Sequence, residues 1–135
     1  MKITGIIVMG EDKQYSIICD EEIGNFCLGG FGETVEAAKA DFLEVIEDAK
    51  ADYIKEHGEL ADEYKEIEIE YKYNLEAFFT FFDWINISKF AKAAGINEGK
   101  MRQYKVGAAV AGEKTRAKIQ ATIKRMSAAL ASVSL

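Results

Sequence analysis

The sequence predicts an α+β fold: a three-stranded meander, a helix and a returning strand over residues 1–75, followed by an all-α module over residues 76–135. Three observations predict it. Short β-branched runs bounded by turn residues fill the start of the chain, and a long apolar stripe at helical intervals follows them. Helix caps and glycine stops then recur at short spacing towards the end. The charge changes sign between the two parts: residues 1–75 carry nineteen Asp and Glu against seven Lys, a net of −12, and residues 76–135 carry four acids against ten bases, a net of +6. A chain of net charge −6 thus holds a basic module that can approach phosphate and an acidic one that phosphate repels.

Ile3 to Met9 is the first β-branched run, and Gly10-Glu-Asp-Lys is the turn after it. Tyr15 to Cys19 is the expected second strand, Asp20 to Asn25 a loop, and Phe26-Cys-Leu-Gly-Gly a third strand that stops at its glycines. Gly29, Gly30 and Gly32 lack the Lys-Ser/Thr of a P-loop and the spacing of a dinucleotide fold, so they read as strand end and turn. Thr34 caps a long helix whose stripe is Val35, Ala38, Phe42, Val45, Ile46, Ala49 and Tyr53, and which ends at His57-Gly58. The polar stretch Glu59 to Glu66 follows, and Ile67-Glu-Ile-Glu-Tyr-Lys-Tyr alternates as a strand with one buried face. Glu76 to Ile85 is an aromatic helix buried on more than one side. Ile119, Ile123, Met126, Leu130 and Val133 form the seam of a last helix that serves a bundle core and a dimer contact together.

Composition removes several function classes. The 135 residues are 49% hydrophobic and 30% charged, as in a globular protein of one domain or two small ones. No apolar run approaches the roughly 20 residues that cross a bilayer, and the N-terminus lacks the basic-then-apolar order of a signal peptide, so a cytoplasmic protein without membrane partners is expected. Cys19 and Cys27, with the single His57, make no zinc set, and reduced cysteines in paired strands are the expectation. His57 reads as a helix-end cap. No nucleophile elbow or kinase signature occurs, so a non-enzyme with no catalytic residue, metal or cofactor is expected. Asp20, Glu21 and Glu22 have the residue type of a magnesium site, but a solvated loop explains adjacent carboxylates without a second ligand set.

The stretch from Ile87 to Leu130 organises the later residues. Ser88 is the expected cap of a short helix with Phe90, Ala91 and Ala94 inward, and Gly95 ends it. Asn97 caps a second helix held by Met101 and Tyr104 and closed by Gly107. Two short helices joined by a glycine turn form a helix-turn-helix unit. The outward residues of the second helix are Lys100, Arg102, Gln103 and Lys105. Arg pairs bidentately with guanine, Gln with adenine, and Lys neutralises phosphate. The solvated face of any helical bundle shows the same residue types. Lys114, Arg116 and Lys118, at the start of the last helix, reach towards a phosphate backbone.

The run Phe90-Ala91, Gly95-Ile96-Asn97, Met101, Tyr104, Gly107 resembles the helix-turn-helix of the phage-repressor (Cro/XRE) type. The resemblance implies base contacts from Glu98, Gly99, Lys100, Arg102 and Gln103. With the cap Asn97 and the phosphate-facing Lys105, Lys114 and Arg116, these make the expected DNA-binding set. Two positions depart from the family: Glu98 places a carboxylate where Gln or Ser is usual, and Gly99 costs a helix about 1 kcal/mol relative to Ala.

The earlier run Tyr15-Ser-Ile-Ile-Cys-Asp, then Cys27-Leu-Gly-Gly-Phe-Gly-Glu-Thr-Val-Glu-Ala-Ala, resembles the HicB antitoxin family, with Gly32-Glu-Thr-Val-Glu-Ala-Ala the most specific part. That family joins a partial RNase H-like domain, a binder and not a nuclease, to a C-terminal helix-turn-helix or ribbon-helix-helix module. Its Pro-Asp-Leu-Pro-Gly turn has no counterpart in a chain that lacks proline. The resemblance implies an antitoxin of a type II toxin-antitoxin system. Its acidic domain would cover a small basic HicA-like mRNA-cleaving toxin, with Asp20, Glu21, Glu22 and Ile23 as contacts. Its basic module, as a homodimer or higher homo-oligomer, would bind its own operator, an inverted repeat in double-stranded DNA. The same residues leave open a stand-alone DNA-binding regulator whose N-domain oligomerises or senses a ligand, and a protein-interaction module that has lost DNA binding.

Overall fold

Inward apolar residues at every second position set the first strands on a common core, and the computed structural model, which describes residues 1–135, is mixed α+β. Two compact units result, Met1–Phe78 and Phe79–Leu135. In the first, β1 (Lys2–Met9), β2 (Tyr15–Ile23) and β3 (Phe26–Gly32) form an antiparallel meander. The returning strand β4 (Glu68–Tyr73) lies parallel to β1, giving the order β3-β2-β1-β4.

One face of this sheet is covered by α1 (Val35–His57), whose Val35, Ala38, Phe42, Ile46 and Ala49 are buried with Ile3, Ile7, Ile17, Ile23 and Leu28. The Thr34 hydroxyl accepts the Ala37 amide at 3.0 Å to start the helix, and Gly58 caps its end. His57 stacks on Tyr53 with ring centroids 4.1 Å apart, its Nδ1 3.1 Å from the Tyr53 carbonyl oxygen. A four-residue helix, α2 (Asp62–Lys65), interrupts the expected polar stretch because Tyr64 is buried there, its hydroxyl accepting the Gly24 amide at 3.0 Å.

Two expectations for the meander are corrected. The third strand does not stop at its glycines but runs through them, because α1 crosses so close that no side chain fits. A Cβ on Gly30 would lie 2.7 Å from the Phe42 nitrogen and 2.8 Å from the Ala38 oxygen. Nor is Asp20 to Asn25 a loop: β2 continues to Ile23, and only Gly24 and Asn25 turn. Ile18 pairs with Gly29 and Glu22 with Cys27, so β2 takes four steps where β3 takes two, and the bulge absorbs the charged run within the strand.

The face of the sheet opposite α1 keeps an apolar strip in the open. Ile6 sits directly across from Ile18, Phe31 lies diagonal to Ile18 on β3, and the three are 36%, 50% and 58% exposed. On the same face exposed Lys72 of β4 pairs with Ile6 itself, Glu68 and Glu70 lie further along β4 beside Lys2 and Thr4, and Glu22 is exposed on β2.

The division between units falls inside the aromatic helix α3 (Leu75–Phe81), which is shorter than expected and leaves Trp84 exposed in the turn beyond. The second unit holds α4 (Ile87–Ala94), α5 (Glu98–Lys105) and α6 (Glu113–Ala131) around buried Phe79, Phe90, Ala91, Met101, Tyr104, Ile119 and Thr122. Phe79 and Phe90 meet edge to face at 5.4 Å. On α6 only Ile119 and Thr122 are buried; Leu130 is exposed, and Val133 lies beyond the end of the helix. The Arg125 guanidinium donates to the Ala93 carbonyl at 3.0 Å, tying α6 to the negative end of α4. No helix is long and apolar enough to cross a membrane.

Candidate functional site

Short helices need strong ends, and the sequence supplies them on both sides of the α4–α5 turn. Asn86, rather than the expected Ser88, caps α4: its side chain accepts the Lys89 amide at 2.9 Å. Ser88 falls inside the first turn, and its hydroxyl turns to another partner. Gly95 ends α4 at φ 70°, a left-handed conformation that a Cβ would disfavour. Asn97 caps α5 as expected, accepting the Lys100 amide at 3.0 Å.

Buried Met101 and Tyr104 fix which way α5 faces, and so set Glu98, Gly99, Lys100, Arg102, Gln103 and Lys105 outward, all exposed. Lys114 and Arg116 are exposed in the first turn of α6. Two of the outward cations have partners within the chain. The Lys100 ammonium stands 5.9 Å from the centre of the Tyr104 ring. Arg102 Nη2 donates to Glu98 Oε1 at 2.6 Å and reaches Ser88 Oγ at 3.4 Å, and Ser88 Oγ in turn donates to the same Glu98 oxygen. A groove of about 390 Å³ adjoins this cluster, lined by Ser88, Lys89, Ala91, Lys92, Ile96 and Glu98. Sequence spacing contains the Glu98–Arg102 pair as an i,i+4 relation. Nothing local points from either residue to Ser88.

In the first unit, the four expected contact residues do not form one surface. Asp20 and Glu22 are exposed, but Ile23 is fully buried in the core, which corrects its assignment as a partner contact. The alternation that continues through the bulged strand turns Ile23 inward. Glu21 is engaged by its own sheet: its carboxylate accepts the Thr4 amide at 3.1 Å and the Cys19 thiol at 3.4 Å. Its own backbone amide, foremost, and then these donors hold its pKa below the usual carboxylate value against the opposing effect of burial. Burial pushes the Cys19 thiol up to about 11, opposed by its hydrogen bond to the Glu21 backbone and helped by the Glu21 carboxylate. Cys19 and Cys27 are both free thiols. A second groove, of about 540 Å³, is lined by Lys2, Lys50 and Lys65, each of which is paired with a carboxylate: Glu70, Glu47 and Asp62.

Comparison with protein-family models, with curated proteins and with solved structures finds no match for this chain.

Proposed function

We propose that this chain is a toxin-neutralising transcriptional repressor of the HicB-like kind, acting in the cytoplasm. In this reading the first unit is a partial RNase H-like binding domain and α4–α5 is a helix-turn-helix. The observation that carries the reading is the outward face of α5, where Lys100, Arg102, Gln103 and Lys105 project from a helix anchored by buried Met101 and Tyr104. Those side chains have the donors that base edges and phosphates accept. Two copies present two such helices about one DNA turn apart, and the operator is then an inverted repeat.

The first unit serves the toxin. Its net charge attracts a small basic protein and speeds the encounter. The open sheet face supports docking better than the Asp20–Ile23 segment does: Ile6, Ile18 and Phe31 supply apolar contact, and exposed Glu22 and Glu68 supply carboxylates for basic side chains, with Lys72 beside Ile6 and Lys2 on Glu70 as the cations of that face. No catalytic role is assigned to any residue.

The test uses the full chain in two parts. Binding to duplexes selected from a randomised pool is measured at several salt concentrations. Arg102→Ala costs roughly 1–3 kcal/mol and relaxes preference at one base pair, whereas Lys105→Ala weakens all duplexes alike and lowers the salt slope by about one. Equal losses on every duplex for both variants contradict these roles. The immobilised chain then retains, from its source cells, a small basic protein whose RNA cleavage stops on stoichiometric addition of the chain, and Phe31→Glu abolishes that inhibition. Selective DNA binding with no such protein retained leaves a stand-alone regulator.

A further inference from the structure

We propose that Glu98 and Ser88 hold the Arg102 guanidinium in check, so that it is released to a base edge but not to an isolated phosphate. This deepens the DNA-binding reading and rests on it. The cluster joins two helices: Ser88 comes from the first turn of α4, Glu98 from the first residue of α5, and Arg102 from one turn further along α5. Glu98 Oε1 receives both the Ser88 hydroxyl and Arg102 Nη2, the latter at 2.6 Å, while Nη2 also reaches Ser88 Oγ at 3.4 Å.

Stability does not account for this arrangement. The Glu98 and Arg102 side chains are 46% and 62% exposed, and an exposed ion pair of this kind contributes little to folding. Its effect falls on what α5 offers to a polyanion. The Glu98–Arg102 pair carries no net charge, so the attraction of Arg102 for a polyanion is offset by the carboxylate beside it.

Trading this carboxylate for one phosphate oxygen exchanges one charge-assisted hydrogen bond for another. It also leaves the Glu98 carboxylate beside the phosphate, where the two repel. A guanine edge is a different acceptor. Its O6 and N7 take two donors at once and carry no formal charge, so the released Glu98 faces no anion. Glu98 and Ser88 therefore act as positioning residues that suppress sequence-independent binding more than selective binding.

The experiment uses the full chain and two short duplexes: the randomised pool, and the sequence that the unaltered chain selects from it. Affinity is measured across a salt series for the parent, Glu98→Gln, Ser88→Ala, Arg102→Ala and the Glu98→Gln/Arg102→Ala double variant. Glu98→Gln keeps the side-chain shape and removes the charge. It is expected to bind the pool up to about fivefold tighter, the ceiling for an exposed ion pair. Its salt slope steepens by roughly 0.9, one further phosphate contact. The ratio of selected to pool affinity falls. Ser88→Ala shifts the same quantities in the same direction by less, and the double variant loses the added slope.

An unchanged slope in Glu98→Gln overturns the proposal. So does a gain on the pool that persists undiminished in the double variant, because Glu98 then acts only as a repelling charge and not through Arg102. If the parent chain selects no sequence and its binding ignores salt, the DNA-binding reading fails and takes the proposal with it. A merely structural role for the cluster lowers the unfolding midpoint without moving the slope.

Discussion

Single atoms decide several features of this molecule. At Gly30 the absent Cβ is what lets α1 lie on β3, since any Cβ would press on the backbone of Ala38 and Phe42, which has no side-chain freedom with which to yield. Gly30→Ala is expected to lower the stability of the full chain by roughly 1–3 kcal/mol, the usual cost of overpacking, as measured by chemical denaturation. The Cys19 thiol, raised to about 11 by burial and by the Glu21 carboxylate, stays protonated at neutral pH. A pKa raised from 9.0 leaves about a hundredfold less thiolate below that value, so iodoacetamide at pH 8 is expected to label exposed Cys27 well before Cys19. Labelling of Cys19 then climbs as the pH approaches its raised pKa. Equal rates at pH 8 mean that β2 opens in solution.

At the scale of elements, end signals and inward anchors make short helices possible. The eight residues of α5 cannot hold a helix alone, and the Asn97 cap together with buried Met101 and Tyr104 sets both its start and its rotation. Met101→Ala is expected to cost about 2–5 kcal/mol and to weaken DNA binding, because the outward face loses its support. Lys105→Ala weakens binding with no change in the unfolding midpoint. Circular dichroism melts alongside anisotropy titrations separate the two, and a Met101→Ala protein that melts like the parent contradicts the anchoring role. In the sheet, the element that matters is the bulge in β2. Its two extra residues leave the in-out alternation intact, so Ile23 still points into the core while the charged run before it stays in the strand.

For the whole molecule, net charge misleads as a guide to partners. The chain is acidic overall at −6, yet its bases are concentrated after residue 75, where the net charge is +6. It is therefore expected to be retained at low salt by heparin, a polyanion, and to elute early as the Lys100→Ala/Lys105→Ala variant. Passage straight through the column at low salt contradicts a usable basic surface. The acidic part works in the opposite sense: its net charge of −12 favours basic groups and repels polyanions.

Periodicity and local chemistry made much of this legible from the sequence. The stripe from Val35 to Ala49, the Thr34 and Asn97 caps, the Gly95 stop and the inward Met101 and Tyr104 all follow from contacts within one turn of helix or one step of strand. Those rules depend only on near neighbours. Tertiary structure decided what depends on distant partners. Paired residues on β3 turned the charged run from Asp20 to Glu22 into a bulged strand, the approach of α1 assigned the glycines of β3 to close packing, and Tyr64 needed the Gly24 amide to give α2 a purpose. The same holds for the Ser88–Glu98–Arg102 cluster and for the open strip of Ile6, Ile18 and Phe31. Each residue was visible in the chain, but their meeting depends on how α4 turns into α5 and on which face of the sheet α1 covers.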